Sequence, residues 1–284
     1  MNYLTSGSAT VRASVRGLAT ATPLKPKTSD HQPDVGGTGI EHYKSIFASS
    51  VAEHTGDRAD CFRIRYQVYC IDNAFEDPED NPSGLETDTC DSHSVHSLLT
   101  QRSTGNAIGT VRLVLPSRGG EKRVLPMRQL AGEIASDAQA PFPIQRTAEI
   151  SRFSIVKSFR QYIPDRGVEA TLTPEEWRRM LHHLPLGLIK SCIEMSVRQG
   201  NTHCAAMMEP VLLRLLTRLG IHFNPLGPLV ECHGRRQPCW VDLDVMLRRV
   251  FNERPDVWDV ITDGGRLWPL TEAHPVAARR ALAG

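Results

Sequence analysis

Arg112 stands inside Gly109-Thr-Val-Arg112-Leu-Val-Leu115, a run that is otherwise apolar and rich in β-branched residues and so predicts a strand over residues 107–115. A second run, residues 147–156, has the same character and carries both an acid and a base in Glu149-Ile-Ser-Arg152-Phe153. Charges are rarely buried in a strand unless they are paired. Arg112, Glu149 and Arg152 therefore require partners, and Glu86-Thr-Asp88-Thr-Cys-Asp91 offers three carboxylates just ahead of the first strand. The fold has to bring these distant segments to one place.

The remaining pattern is that of an α/β protein. The run 43–49 (YKSIFAS) predicts a first strand, and Asp57 is expected to cap a helix whose apolar positions are Phe62, Tyr66, Val68 and Tyr69. Residues 76–83 hold two prolines and four acids and predict a loop. Strands over 95–100 and 107–115 flank the turn Ser103-Thr-Gly105-Asn106. A helix over 184–199 ends at Gly200, a buried strand follows over 202–208, and a helix opening at Pro210 ends at Gly220. Strands over 229–233 and 238–243 flank Gly234-Arg-Arg-Gln237, and a last helix from Asp242 or Asp244 runs to Arg254, before Pro255. This order predicts a mixed sheet packed between helices in one domain, residues 41–270.

Residues 1–40 show little periodicity and end in Asp34-Val-Gly-Gly-Thr-Gly39, so a disordered lead is expected, with a tail over 271–284. The first 29 residues carry Arg12, Arg16, Lys25 and Lys27 and no acid. That composition also suits a transit peptide, but disordered-tail composition is the simpler reading.

A net charge of +1 gives no global reason to expect nucleic acid or an anionic membrane as partner. No apolar run approaches the roughly 18 residues of a spanning helix, and the N-terminus lacks the apolar core of a secretory signal. The seven cysteines are odd in number and form no CxxC pair, which suits buried thiols in a reducing, cytoplasmic setting.

The ordered set Arg65-x-x-x-Tyr69, Phe75, Glu86-x-Asp88-x-x-Asp91, Gly109-Thr-Val-Arg112-Leu and Glu149-Ile-Ser-Arg152-Phe153 resembles the acyl-homoserine lactone synthases and the N-acyl amino acid synthases. The spellings RYQVYC, GLETDTCDSHSVH and AEISRFSIV are more similar still to the acyltransferases associated with the PEP-CTERM/exosortase system. The resemblance covers roughly residues 42–245 and is most specific over 65–153. It implies a GNAT-like sandwich with an acyl thioester, acyl-coenzyme A or acyl-carrier protein, lying where two strands splay apart, no permanent cofactor or metal, and a small amine acceptor. By the same resemblance Arg65 and Phe75 close the N-terminal helices over the acceptor. Glu86, Asp88 and Asp91 form an acidic cluster with Arg112 as its partner, and Glu149 and Arg152 are the acid and base of the central strand. Tyr69 and Phe75 replace the phenylalanine and tryptophan common in the lactone synthases, and the loop before Glu86 is longer.

An amine attacks a thioester only when unprotonated, so a carboxylate base is needed. Glu149 is the expected base, with Asp88 sharing the role; Asp91 orients Arg112 or binds the acceptor's ammonium. Backbone N–H groups around 152–154 suit the oxyanion, and Arg152 or Arg65 suits an acceptor carboxylate. Phe153 completes the acceptor side, whereas Ser154, Lys157 and Arg160 are expected at the phosphopantetheine arm, where Lys157, Arg160 and Arg166 suit a phosphate or an acidic carrier protein. Side-chain alternation puts Glu149 and Arg152 on opposite faces of a regular strand, so both reach one cleft only if the strand bulges.

The helix over 184–199 and the strand over 202–208 are expected to line a pocket for a long acyl chain. Residues 160–174 read as a lid and His182-His183 as a helix start. Cys90, His93 and His96 have metal-like spacing but face opposite sides of the expected strand, and Cys204 reads as a packed thiol. The expected activity is transfer of a fatty acyl group to a small, amino-acid-like amine. A homoserine-lactone synthase and a non-catalytic acyl- or carrier-binding module are the alternatives.

Overall fold

The structure, a computed structural model, describes residues 40–116, 125–127 and 140–268. The expected N-terminal lead (apart from Ile40) and the C-terminal tail lie outside the described residues. Among the described residues, eight strands form the sheet: β1 (Phe47–Val51), β2 (Ser94–Gln101), β3 (Ala107–Val114), β4 (Thr147–Ile155), β5 (His203–Met208), β6 (Asn224–Pro225), β7 (Val230–Glu231) and β8 (Arg235–Asp242). The order is β1-β2-β3-β4-β5-β8-β6, with β7 pairing to β8. All pairs are antiparallel except β4 and β5. The β4–β5 crossover carries α3 (Pro174–Leu181) and α4 (Pro185–Gln199), as parallel pairing requires a long connection. This is the mixed α/β, GNAT-like sandwich expected from the sequence.

Alternation along β5 separates the two faces of the sheet. Cys204, Ala206 and Met208 join the main core, which also holds Leu188, Ile189, Ile193 and Met195 of α4. Ala205 turns to the other face with Met127, Phe142 and Leu226. On that second face, over β2, lies α2 (Thr55–Tyr66), which contributes Cys61 and Ile64 beside Leu98.

Several elements differ from the sequence reading. Residues 43–49 are not one strand: α1 (Tyr43–Ile46) precedes β1, because Tyr43, Ile46 and Phe47 have helical spacing and all three are buried. His54, not Asp57, is the N-cap of α2; Asp57 is the N3 acid that accepts from the His54 N–H. His182-His183 do not start a helix. They follow α3, whose start is the capping box of Thr173 and Glu176. The turn between β7 and β8 lies at Cys232–Gly234, earlier than expected, since Arg235–Asp242 is all strand. The helix α5 (Pro210–Arg218) opens at Pro210 as expected, α6 (Leu243–Glu253) is capped by Asp242 as expected, and α7 (Pro255–Ile261) follows it. The expected lid is pinned: Glu169 is buried and accepts hydrogen bonds from the Gln101 and Ser103 side chains.

Tyr43 ties the first helix to the start of α4. Its hydroxyl donates to the Leu184 carbonyl at 3.2 Å and accepts from the Gly187 N–H at 2.7 Å, so it pairs one of the amide groups that a helix N-terminus leaves open. A Tyr43→Phe variant is expected to lose about 1–3 kcal/mol, the cost of a buried donor and acceptor left unpaired. A denaturant midpoint equal to wild type is the result that sinks this assignment.

Candidate acyl-transfer site

The site is built on one irregularity of β4. Between Thr110↔Ser154 and Arg112↔Ser151 the pairing advances two residues on β3 and three on β4, and Arg152 takes a positive φ of 50°. This extra residue is a bulge, the condition under which Glu149 and Arg152 can share one side of the strand. Arg152 thereby reaches Asp88, which Arg112 also holds, and the Arg112 Nε donates to Ser151 Oγ at 2.9 Å. Glu149 shares the Ser151 face by alternation. Below the bulge β4 pairs with β5 from Thr147↔His203 to Ile150↔Ala206, and there the pairing stops. Met207 and Met208 keep only the pairing with β8 that runs along all of β5. The two middle strands part beside the bulge.

Three guanidiniums interlock with three carboxylates at this point. Arg65 donates to Glu86 through Nε and to Asp91 through both terminal nitrogens, at 2.7 and 3.2 Å. Arg112 donates to Asp88 and, at 2.8 Å, to Asp91. Arg152 donates to Glu86 at 2.8 and 3.1 Å and to Asp88 at 3.2 Å, and comes within 3.8 Å of Glu76. The paired guanidiniums outweigh desolvation and hold the Glu86 carboxyl down at about 2 and that of Asp91 well below the usual range. Both remain ionised at neutral pH.

Exposure divides these groups into support and surface. The side chains of Arg65 and Asp91 are 0% and 9% exposed, whereas Arg152 and Asp88 are 16% and 30% exposed. Arg65 therefore braces the acids from beneath and is not positioned to touch an acceptor, and Asp91 orients Arg65 and Arg112. Asp88, Glu76 and Arg152 keep part of their surface exposed. His96 is buried below Asp91, 3.7 Å from it and edge-on to Phe62. Burial pushes its imidazole down to about 4 and leaves it neutral.

Glu149 is held differently. It accepts from the Met127 N–H at 2.9 Å, and its burial pushes the carboxyl up to about 8 against the opposing pull of that hydrogen bond and of Arg112. A carboxyl held near neutrality is suited to proton transfer. Phe153 is half-buried against the main core, and Ser154 is buried, with its hydroxyl unpaired among the described residues. Lys157 and Arg160 are exposed just beyond β4; the Lys157 N–H is held by Asp72 at 3.0 Å.

The helix α2 runs into a π-helical stretch, Gln67–Asp72, a distortion often found at functional sites. It sets the Tyr69 ring 4.7 Å from the Arg152 guanidinium. Tyr69 packs edge-on against Phe75, and Phe75 stacks on His233 of the β7–β8 hairpin at 5.3 Å. Glu76 and His233 escaped the sequence reading, since nothing local reveals that this hairpin returns to the N-terminal loop. Cys90, His93 and His96 form no ligand group, and among the described residues no three His, Cys, Asp or Glu side chains are placed to hold a metal. Cys204 is packed, its thiol pushed up to about 11 by burial.

Residues 64–163, from the end of α2 to just past β4, match the acetyltransferase (GNAT) domain family. No curated protein sequence matches the chain significantly. Among solved structures it is similar to TofI in a ternary complex with an inhibitor and MTA, with a TM-score of 0.53 and 19% identity over 74% of this chain and 99% of that one. It is also similar to BjaI, a CoA-dependent acyl-homoserine lactone synthase (TM-score 0.49, 20% identity, 84% and 99% coverage). FeeM, an N-acyl amino acid synthase from uncultured soil microbes, gives a TM-score of 0.47 and 12% identity over 72% and 93%.

Proposed function

We propose that this protein is an N-acyltransferase that moves a fatty acyl group from a coenzyme A or carrier-protein thioester to the amine of a small, amino-acid-like acceptor. The observation that carries this reading is the convergence of Glu149, Asp88, Arg112 and Arg152 at the point on β4 where its pairing with β5 ends. The β4 edge beyond Ile150 is free of β5, so a pantetheine arm can run along it and its N–H groups can receive the oxyanion.

In the reaction, the acceptor's ammonium is drawn to Asp88 and Glu76, and its proton passes to the Glu149 carboxylate directly or through one water. The free amine forms a C–N bond to the thioester carbonyl. As this bond forms the nitrogen gives up a second proton, and the C–S bond breaks so that sulfur leaves as a thiol carrying one of the two protons while the other passes from Glu149 to solvent. Arg152, with its exposed edge, suits an acceptor carboxylate.

The resemblance to the PEP-CTERM/exosortase-associated acyltransferases, and Tyr69 and Phe75 standing where the lactone synthases differ, favour an amino acid or relative over a homoserine-lactone precursor. The apolar groups beside Glu149 and along β5 suit a long acyl chain. All seven thiols are free, which fits a reducing cytoplasmic setting.

Purified protein incubated with palmitoyl-coenzyme A or palmitoyl-carrier protein and the standard amino acids is expected to release thiol and form an N-acyl product, identified by mass. Absence of acceptor-dependent thiol release from both donors defeats the proposal; a homoserine-lactone product redirects it. Asp88→Asn is expected to raise the acceptor KM about tenfold or more, the worth of a charge-assisted contact, with a smaller change in the thioester KM. An unchanged acceptor KM removes Asp88 from the acceptor site.

A further inference from the structure

The β7–β8 hairpin reaches across from the β5 side of the parting to the N-terminal loop. On one side, Arg236 donates to Glu209, just after β5, at 2.6 Å and to the carbonyls of Cys232 and His233 at 3.2 and 3.0 Å, which fixes the shape of the turn. On the other, His233 stacks on Phe75 with ring planes 13° apart and lies 3.7 Å from Glu76. Glu76 in turn approaches Arg152, whose guanidinium lies against Tyr69. The contacts Arg236, His233, Phe75, Tyr69 and Arg152 thus span the gap between the β5–β8 and β4 halves of the sheet.

Two features mark this bridge as built to open. The hairpin pairs only Val230↔Arg236 and Glu231↔Arg235, too little to be rigid alone. His233 holds a positive φ of 48°, a conformation that costs a non-glycine residue free energy and persists where contacts impose it. Besides the turn's own hydrogen bonds from Arg236, the contacts that hold it are the Phe75 stack and the Glu76 carboxylate. Both belong to the opposite jaw.

We propose that this hairpin is the gate on the acceptor side of the groove and that His233 determines which amines pass it. The proposal rests on the acyl-transfer reading. The closed stack covers the approach to Glu76 and Arg152, so the acceptor compartment is small, and a bulky side chain on the acceptor meets the Phe75–His233 pair. Loss of the His233 ring frees both jaws and enlarges the compartment, leaving the thioester's path along β4 untouched.

His233→Asn keeps a residue tolerant of the left-handed region while removing the ring, so the turn itself is preserved. Two measurements test the gate. Amide hydrogen exchange at residues 69–76 should quicken at least several-fold in the variant, independent of any activity; unchanged exchange overturns the proposal. With palmitoyl-coenzyme A and an equimolar mixture of the standard amino acids, the product ratio of small to bulky N-acyl amino acids should fall about tenfold, the discrimination a shaped apolar wall provides, with the thioester KM unchanged. An active wild type and a variant with the same product ratio overturn the gate while sparing the acyl-transfer reading. A wild type that transfers nothing to any amine overturns that reading itself, and the gate as an acceptor selector with it. His233→Phe, if it folds as wild type and restores the ratio, assigns the selection to the stack.

Discussion

Replacement of Glu149 by glutamine is expected to slow acyl transfer about a hundred- to ten-thousand-fold, the contribution of a positioned general base, while making the protein more resistant to alkaline pH. The glutamine side chain retains a carbonyl oxygen for the Met127 N–H and nearly the same volume, so the change removes the titration and little else. Burial pushes the carboxyl from its ordinary 4.5 to about 8. The base is the ionised form, so the wild-type rate should climb with pH and level off above about 8. Stability runs the other way. Between pH 4.5 and about 8 the folded state holds a proton that the unfolded state has lost, and stability falls as pH rises wherever the folded state binds more protons. Below 4.5 both states are protonated and the penalty is absent. Melting curves from about pH 5 to 9 should thus decline more steeply for the wild type than for the variant. An active Glu149→Gln protein, or one with the wild-type rate profile, excludes Glu149 as the base.

The opposing pulls on acid and base show why part of the site was legible from sequence. Arg112, Glu149 and Arg152 are charges inside apolar strands, and that incongruity alone demands partners; the acidic segment 86–91 supplied them for both arginines. The bulge at Arg152 was legible only as a condition, since only an extra residue lets an i, i+3 pair on a strand share a face. Most helices after residue 184 followed from capping and apolar spacing.

What could not be read is what depends on three-dimensional return. Arg65 was singled out by the resemblance as an acceptor contact, but its complete burial beneath the acids follows only from the fold. Tyr43-Lys-Ser-Ile-Phe47 carries both strand-like and helical patterns, and the choice is made by the start of α4, far along the chain. His233 sits in a turn whose partner, Phe75, belongs to another part of the sequence. Nothing local distinguishes such residues from solvated ones.

Arg65 carries the other large expected effect. Its side chain is fully buried and bridges Glu86 and Asp91, so Arg65→Met leaves two buried carboxylates short of a partner. Breaking a buried ion pair from one side costs about 3–5 kcal/mol, for a domain of this size a fall in melting temperature on the order of 10 °C. The pH dependence identifies the cause. In the wild type the Glu86 carboxyl sits near 2, below its ordinary 4.5, so its contribution is present above 4.5 and is lost as pH falls toward 2. Without Arg65 that lowering is weaker and acidification neutralises an unpaired charge, so the stability gap between variant and wild type should narrow between about pH 4.5 and 3. Adding Asp91→Asn to Arg65→Met should recover part of the loss, because removing both partners of a buried pair is far less costly than removing one, and Arg112 still keeps Asp88. An Arg65→Met protein as stable as wild type at neutral pH, or a double variant that only sums the two single losses, shows that the network does not brace the site.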